Sequence, residues 1–296
     1  MKVFGGIEVG GTKIVCVIAS GPDDIHDEVV VSTTTPEETL PRVLDFFSSG
    51  VPGALLSAVG IGTFGPLDLN PSSSTYGYIT STTKPGWSQV DIAGEVQRAL
   101  GVPVVLDTDV KAAAVGEGTW GAAKGLDDFI YLTIGTGIGG GGVFGGKPMH
   151  GMIHPEMGHI RIPHDIKKDP YKGYCPFHGD CFEGLASGQA MQERWGQKAE
   201  MLPPDHEAWE LETHYIALAL QSYICTLSPR LIILGGGVMR QSHLFPLIRA
   251  KVRLFLGGYV RSPLVLDDTE EYILPPALGN RAGVLGALSL ALTRST

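Results

Sequence analysis

Histidine and cysteine side chains crowd two neighbouring stretches of the chain, HPEMGHI starting at His154 and CPFHGDCFEG starting at Cys175. A Zn²⁺ ion binds four nitrogen or sulfur ligands in a tetrahedron. The second stretch supplies a Cys-x2-His-x2-Cys pattern through Cys175, His178 and Cys181, and either His154 or His159 can complete the set. Four protein ligands close the coordination shell, so the spacing predicts a structural zinc site that does not activate water.

Two carboxylates stand where a predicted strand runs into a predicted helix, in the stretch LDTDVKAA that contains Asp107 and Asp109. Side chains two residues apart on a strand point the same way. A carboxylate held in such a place can accept the proton of a substrate hydroxyl during group transfer. An aspartate at the end of a strand is also a natural N-cap for the following helix, and the residues alone leave both roles open for Asp109.

Glycine clusters follow three apolar runs, in EVGGTK at 8–13, TIGTGIGG at 133–140 and LGGGV at 234–238. Without a Cβ in the way, backbone N–H groups in such loops can approach an anion. None matches a P-loop or a GxGxxG fingerprint. Each by itself also fits a tight hairpin turn, but three in one chain predict nucleotide phosphate binding. The candidate residues, which add two hydroxyl groups and one ammonium group to the glycines, are Gly10, Gly11, Thr12, Lys13, Thr136, Gly137, Gly235, Gly236 and Gly237.

The bulk composition describes an acidic globular protein. Among 296 residues, 43% are hydrophobic and 18% are charged, the formal net charge is −9 and the pI is about 5.4. Lysine and arginine are scattered rather than clustered, which argues against a nucleic-acid partner. We expect a cytoplasmic protein without a membrane partner, because MKVFGGIEVGG lacks a signal-peptide apolar region and no apolar run approaches the ~18 residues of a membrane span.

Cysteine usage agrees with a reducing compartment. A close cysteine pair with histidines nearby favours a metal site over a disulfide there. Cys16 and Cys225 lie in apolar segments and are expected to be small buried hydrophobes. Among the remaining histidines, His164 precedes a charged loop and is expected to be solvated.

The elements that must hold these residues alternate between strands and helices. VFGGIEVGGTKIVCVIAS predicts two strands joined by a turn at 10–13 that needs a positive φ, and FIYLTIGTGIGGGGVFGG repeats the hairpin in the second half. The repetition suggests a duplicated architecture, and the alternation predicts parallel sheets covered on both faces. Helices are predicted at about 91–100, 110–120, 187–199, 209–227, 245–256 and 281–292.

A domain boundary is expected near 116–121, where glycine-rich sequence separates the two halves. This gives a small N-terminal α/β domain at 1–116 and a larger C-terminal α/β domain at 117–296 that carries the zinc segment. A C-terminal helix at about 281–296 is expected to pack back on the first domain.

The order and spacing of the motifs resemble those of the ROK sugar kinases over essentially the whole chain: EVGGTK, GIGTFGP, LDTDVKAAAVGE, TIGTGIGGG, HPEMGHI, CPFHGDCFEGLASG and LGGGV. The cysteine-containing motif is similar to that of the bacterial fructokinases of this family. The resemblance implies an α/β protein of the actin-like ATPase (ribonuclease H-like) fold, with two α/β domains around a cleft that holds ATP. It also implies Mg²⁺ as a cofactor and a hexose hydroxyl as the phosphoryl acceptor.

The resemblance also implies roles for individual residues. Asp109 matches the catalytic base of the family, and the positions that match its sugar-binding residues are Gly65, Thr108, Glu156, His159 and Glu183. The family pattern places the zinc ligand in the Gly-His pair, which favours His159 over His154. His159 would then bind zinc through one ring nitrogen and a sugar hydroxyl through the other.

The sequence departs from the family pattern at three positions. Thr108 and Lys111 stand where the motif usually has asparagine, and Glu8 stands where most members have aspartate. Lys111 either lowers the pKa of Asp109 or points away along the helix, and it is left out of the predicted site. Either acidic residue type at position 8 can hold water around Mg²⁺.

The implied activity is ATP- and Mg²⁺-dependent phosphorylation of a hexose at the 6-hydroxyl, with D-fructose favoured. Mannose, glucose and N-acetylated hexosamines are alternatives, because selectivity among sugars depends on a few hydrogen bonds. A non-catalytic sugar-sensing regulator is a further alternative, but such regulators of the family carry an N-terminal helix-turn-helix and this chain starts in the first glycine hairpin. Family resemblance and exposed apolar helices in the second domain favour a homodimer.

Overall fold

The computed structural model of the chain describes residues 1–293 and forms two compact units. Of the described residues, the first unit comprises Met1–Gly125, Pro148–Pro155 and 277–293. The second unit comprises Leu126–Lys147 and Glu156–Pro276.

Strands and helices alternate through both units. The strands are β1 Lys2–Val9, β2 Lys13–Gly21, β3 Asp24–Ser32, β4 Leu55–Thr63, β5 Tyr78–Ile79, β6 Val90–Asp91, β7 Val104–Thr108, β8 Phe129–Ile134, β9 Ile138–Phe144, β10 Lys147–Pro148, β11 Ile232–Gly235 and β12 Ile273–Leu274. The helices are α1 Pro36–Ser49, α2 Ile92–Leu100, α3 Asp109–Trp120, α4 Phe182–Ala186, α5 Gly188–Trp195, α6 Ala208–Leu227, α7 Leu244–Leu256, α8 Pro263–Leu266, α9 Thr269–Tyr272 and α10 Ala282–Thr293.

The sheet of the first unit is mixed, with the strand order β3-β2-β1-β4-β7. β1 and β2 form the predicted antiparallel hairpin, and β3 continues it on the outer side. β4 and β7 run parallel to β1. The prediction of parallel sheets is therefore correct for β1, β4 and β7 but not for the strands of the hairpin, because a tight turn can only join antiparallel strands.

The sheet of the second unit repeats this arrangement, with the order β10-β9-β8-β11-β12. β8 and β9 form an antiparallel hairpin, and β11 and β12 run parallel to β8. The hairpin and the parallel strands thus occupy the same positions in both sheets. This common order agrees with the duplicated architecture expected from the two glycine hairpins.

Side chains and glycines set the helix ends next to the first sheet. The carboxylate of Asp91 accepts the Gly94 N–H at 2.9 Å and caps α2. α2 ends at Gly101, whose φ of 66° is the left-handed conformation that favours glycine. In the second unit, Gly196 with φ 70° ends α5 at Trp195, so the helix predicted to reach residue 199 is shorter.

α10 packs directly on the backbone of the first unit. A Cβ on Gly60 of β4 would lie 1.8 Å from the Ala287 carbonyl oxygen, and a Cβ on Gly286 would lie 1.9 Å from the Ala112 carbonyl oxygen. Glycine at these positions is therefore required for α10 to approach β4 and α3 this closely. Of the helix expected at about 281–296, residues 294–296 lie outside the described residues.

The first unit extends beyond the boundary expected near residue 116, because α3 runs on to Trp120. The buried carboxylate of Glu117 accepts the Ala122 N–H at 2.7 Å and the Leu278 N–H at 2.9 Å. These bonds hold the chain that follows α3 and the chain that precedes α10 in one unit. Across residues 1–293, no helix has both the length and the apolar character needed to cross a membrane.

Candidate active site and metal centre

Three predicted functional segments leave the first sheet at one edge. β1, β4 and β7 are parallel neighbours, with Val9 in register with Thr63 and Thr63 in register with Thr108. The glycine turn at 10–13 follows Val9, Gly65 lies two residues after Thr63, and Asp109 follows Thr108. Since the carboxyl ends of neighbouring parallel strands lie side by side, the sheet brings these three segments together.

Asp109 is the first residue of α3 and is partly buried. Its carboxylate accepts the Val110 N–H at 2.9 Å, whereas the N-cap of the helix is Thr108, whose hydroxyl accepts the Lys111 N–H at 3.3 Å. The alternative role of Asp109 as the cap is therefore wrong. Burial raises the pKa of Asp109 to about 6, so the group remains available as a proton acceptor near neutral pH.

Lys111 points away from Asp109 and is almost completely buried, with 1% of its side chain exposed. Its Nζ lies 2.8 Å from Oδ1 of Asp107 and 3.1 Å from Nδ1 of His150. Burial lowers the pKa of the Lys111 ammonium, and the Asp107 carboxylate opposes that change. The structure thus supports the alternative in which Lys111 points away from Asp109. The Asp107 carboxylate neutralises the Lys111 ammonium group.

Glu8 stands near the end of β1, with its carboxyl group against the start of α10. A Cβ on Gly283 would lie 2.3 Å from Cδ of Glu8, so a glycine makes room for the longer acidic side chain. Burial and then the charge of Asp109 raise the pKa of Glu8 to about 7. Glu8 and Asp109 are therefore electrostatically linked groups of one site.

The first glycine turn has a conformation that differs from the expected one. Neither Gly10 nor Gly11 has a positive φ, so the prediction for this turn was wrong. Gly10 is required instead by a close approach, because a Cβ there would lie 2.9 Å from the Lys13 carbonyl oxygen. Gly11, Thr12 and Lys13 are exposed at the tip, where their backbone and side chains are accessible to a ligand.

The other two glycine turns lie next to each other in the second unit. β8 and β11 are parallel neighbours, with Thr133 in register with Gly235. Thr136 is exposed in the turn after β8, and Gly236 adopts a φ of 93° in the turn after β11. A Cβ on Gly135 would lie 3.8 Å from the Gly237 nitrogen. The sheet therefore brings the predicted phosphate-binding residues of both turns together.

The four predicted zinc ligands also lie together in the second unit. The ligand atoms of His159, Cys175, His178 and Cys181 are all within 4.8 Å of one another. Nδ1 of His159 lies 3.7 Å from Sγ of Cys175 and 3.6 Å from Sγ of Cys181. A tetrahedral zinc ion places its sulfur and nitrogen ligands about 3.6 Å apart, so the donor set and its spacing fit this metal.

Local hydrogen bonds shape the loop that carries three of these ligands. Cys175 and Gly179 exchange two backbone hydrogen bonds, of 3.2 and 2.8 Å, which close a tight turn around His178. Sγ of Cys181 accepts the Gly184 N–H at 3.4 Å at the start of α4. Burial raises the pKa of the Cys181 thiol to about 11, so metal binding there must release a proton.

Glu183 lies between the metal cluster and a glycine turn. Its Oε2 accepts the Ile138 N–H at 2.9 Å, and its Oε1 lies 3.9 Å from Nε2 of His159. His159 therefore directs Nδ1 to the cysteines and Nε2 to Glu183. Glu156 immediately precedes the 3-10 turn Met157–His159 and is exposed in the same unit.

Two expectations for other histidines and cysteines were wrong, and the choice between His154 and His159 as the fourth ligand is resolved. His154 belongs to the first unit, where its Nε2 accepts the Leu67 N–H at 3.1 Å, so it is separate from the cysteine cluster. His164 is not solvated, because only 5% of its side chain is exposed and its Nδ1 lies 3.2 Å from the Asp180 carboxylate. Cys225 is exposed on the last turns of α6, whereas Cys16 is buried as predicted.

The site contains residues that sequence reasoning did not assign. His150 and Lys111 join Asp107 in one cluster, and His154 contacts the loop of Gly65. The motif HPEMGHI contained a signal for this contact. Once His159 was favoured as the zinc ligand, His154 was a histidine without an assigned role.

Known proteins resemble this chain over nearly its full length. The ROK family profile matches residues 4–294. A fructokinase of Pediococcus pentosaceus is 42% identical over 289 residues, covering 98% of this chain and 97% of that protein. A fructokinase of Lactococcus lactis subsp. cremoris is 41% identical over 294 residues, with coverages of 99% and 98%. A ROK family glucokinase from Streptomyces griseus, solved in complex with glucose and AMPPNP, matches with a TM-score of 0.79 at 25% identity, covering 98% of this chain and 99% of that chain.

These matches agree with the two mixed sheets and confirm the predicted α/β class with the actin-like ATPase fold. The family profile and the relatives span the glycine turns, the Asp109 segment and the cysteine cluster alike. The chain belongs to the ROK family.

Proposed function

We propose that this protein transfers the γ-phosphoryl group of ATP to the 6-hydroxyl of a hexose, and that D-fructose is its preferred substrate. The observation that carries the proposal is the common sheet edge at which the first glycine turn, Gly65 and Asp109 meet. A phosphate-binding turn beside a carboxylate with a raised pKa is the arrangement that phosphoryl transfer to an alcohol requires. The fructokinases that are 41% and 42% identical support the choice of fructose.

Asp109 acts as the general base in this proposal. Its carboxylate accepts the proton of the sugar hydroxyl as that oxygen attacks the phosphorus, and the terminal P–O bond of ATP breaks with ADP as the leaving group. Partial burial keeps the carboxylate basic. The neighbouring Asp107 is unsuited to this role because it already pairs with Lys111.

The glycine turns bind the nucleotide phosphates through backbone N–H groups. Gly10, Gly11, Thr12 and Lys13 supply the contacts in the first unit, and the second unit supplies Thr136, Gly137 and Gly235, Gly236 and Gly237. Mg²⁺ would neutralise phosphate charge, and Glu8 is the residue that would hold its water ligands.

The proposed sugar contacts are Gly65 and Thr108 in the first unit, and Glu156, His159 and Glu183 in the second unit. Zinc, held by His159, Cys175, His178 and Cys181, would fix the ring of His159. The ring then presents Nε2 on the side of Glu183, where a sugar hydroxyl can bridge the 3.9 Å between the two groups. Cys175 and Cys181 form no disulfide with each other, which fits the proposed metal site in a cytoplasmic protein.

A panel assay tests the proposed activity. ADP release is measured with fructose, mannose, glucose and N-acetylated hexosamines, each with ATP and Mg²⁺, and the product is analysed for the phosphorylated carbon. We expect the highest kcat/KM with fructose and a 6-phosphate product. Higher kcat/KM for another hexose would replace the substrate, and absence of ADP release with every sugar would refute the kinase. Sedimentation of the purified protein tests the expected homodimer.

A further inference from the structure

His154 is the residue of HPEMGHI that the proposed kinase mechanism leaves without a role. The residue is 5% exposed and lies in the segment Pro148–Pro155, which belongs to the first unit. A polar ring buried this far needs partners for its nitrogen atoms. Those partners identify what the ring holds in place.

The ring lies against the loop that follows β4. Nε2 of His154 accepts the Leu67 N–H at 3.1 Å. A Cβ built on Gly65 would lie 3.2 Å from both Cε1 and Nε2 of the ring. The imidazole therefore packs under Gly65 and holds the backbone two residues further on.

Hydrogen bonds hold this loop on both sides of Gly65. The Phe64 N–H donates to the Val9 carbonyl at 3.1 Å, and Pro66 has no N–H to donate. The Leu67 N–H is thus the first amide donor after Gly65, and its acceptor is His154. Loss of that acceptor would leave the buried Leu67 N–H unpaired and the loop less tightly held, although the Thr80 N–H would still donate to the Pro66 carbonyl at 2.8 Å.

The backbone of Pro155 determines which ring nitrogen carries the proton. It makes a hydrogen bond with the His154 ring, and a proline backbone can only accept. Because Nε2 accepts from Leu67, the donor to Pro155 is Nδ1. The neutral Nδ1–H tautomer therefore satisfies both bonds, and a protonated ring would present a second N–H to the Leu67 N–H.

We propose that His154 is a positioning residue for sugar binding, because its neutral imidazole holds the Gly65 loop in the conformation that contacts the hexose. This inference rests on the proposed function, since Gly65 is a sugar contact only if the protein is a hexose kinase. His154 does not touch the reacting atoms, so it acts on sugar affinity and leaves the transfer step unchanged.

Two substitutions separate the hydrogen bond from the bulk of the ring. His154→Leu fills the space without an acceptor, whereas His154→Gln can place Oε1 where Nε2 now accepts from Leu67. His26→Leu is the matched control, because His26 also loses a hydrogen bond, of 2.7 Å to Ser20, but lies on the outer strand β3. Hexose KM, ATP KM, kcat and Tm are measured for each variant.

We expect His154→Leu to raise the hexose KM about tenfold, which corresponds to ~1.4 kcal/mol. His154→Gln should restore most of that loss, and His26→Leu should leave the hexose KM unchanged. An unchanged hexose KM in folded His154→Leu, or equal hexose KM values for the Leu and Gln variants, would overturn the proposal. A wild-type protein inactive on every hexose would overturn the proposed function as well, which distinguishes the two failures.

A second comparison applies if His154→Leu does not fold. His154→Asn carries the same amide as His154→Gln but is one methylene shorter, so its oxygen falls short of Leu67. A higher hexose KM for Asn than for Gln supports the role of Nε2, and equal values contradict it.

The pH dependence gives an independent readout. Burial, followed by the charge of Lys111, lowers the pKa of His154, whereas Asp107 raises it and His150 lowers it slightly. The neutral ring is needed, so hexose KM should rise as pH falls through this lowered pKa, below about 6.5. His150 titrates nearby, but only the His154 contribution should disappear in His154→Gln. The same pH dependence of hexose KM in both proteins would contradict the proposal.

Discussion

Nζ of Lys111 lies 2.8 Å from Oδ1 of Asp107, and both side chains are buried in the first unit. Asp107 lies in β7, and Lys111 follows four residues later in the first turn of α3. The ion pair separates the roles of two nearby carboxylates, because Lys111 neutralises Asp107, whereas burial dominates the environment of Asp109. The substitution of the usual family asparagine by Lys111 thus creates a structural pair beside the proposed base.

Breaking this pair on one side should destabilise the protein. Lys111→Met leaves the Asp107 carboxylate buried without a countercharge, which costs about 3–5 kcal/mol. The double variant Asp107→Asn with Lys111→Met removes both charges and should recover most of that loss. Denaturant unfolding measures the free energies, and a double variant no more stable than the single one would contradict the pairing.

Replacement of the proposed base should affect the transfer step alone. We expect Asp109→Asn to lower kcat by about 10²–10⁴-fold, since an amide cannot accept the proton. ATP affinity should stay close to that of the wild type. Asp45→Asn on the exposed side of α1 is the control for the loss of one negative charge. Retention of substantial turnover by Asp109→Asn would refute the role of this residue.

The pH dependence of the reaction should report the raised pKa of Asp109. The carboxylate must be ionised to accept a proton, and its pKa is raised by burial to about 6. kcat/KM should therefore begin to fall near pH 7 as Glu8 is protonated, and fall more steeply below about pH 6 as Asp109 is protonated as well. A pH profile of kcat/KM checks this, with stability followed in parallel. An acid limb near pH 4, the ordinary range of aspartate, would show that Asp109 is not the group observed.

Removal of the metal should weaken sugar binding before the protein unfolds. Without zinc, His159 loses the restraint on Nδ1 and its Nε2 no longer stays directed at Glu183. We expect chelation to raise the hexose KM about tenfold, the effect of losing one charge-assisted hydrogen bond, and added zinc to reverse it.

A pair of cysteine variants separates ligation from general thiol chemistry. Cys181→Ser should raise the hexose KM, whereas Cys225→Ser should not, because Cys225 is exposed and lies outside the cluster. Metal content and Tm are measured with the kinetics. Unchanged kinetics in protein shown to be free of zinc would contradict the coupling between the metal and the sugar.

The sequence by itself determined the local features whose chemistry depends on short spacing. Cys175, His178 and Cys181 lie within seven consecutive positions, so a loop of that length must bring them close together. The hairpin at 10–13 was equally predictable, because alternating apolar residues on both sides of a glycine turn have few other conformations. Motif order then identified the family, and with it the fold class.

The tertiary structure alone decided contacts between residues far apart in the chain. Lys111 meets His150, and His154 meets Leu67, across separations that no local pattern specifies. The same holds for burial: Cys225 belongs to an apolar helix but lies on its exposed face. Periodicity predicts a helix, whereas the face that is covered depends on what packs against it.

The roles of Asp107, Thr108 and Asp109 show the same division within three residues. Sequence indicated a carboxylate and a helix cap at the end of β7, yet it could not assign them, because both aspartates and the threonine are suitable acceptors. The backbone direction at the junction decided that Thr108 caps α3 and that Lys111 pairs with Asp107. Residue types and their order thus determined which chemistry is present, and packing decided which side chain is left to perform it.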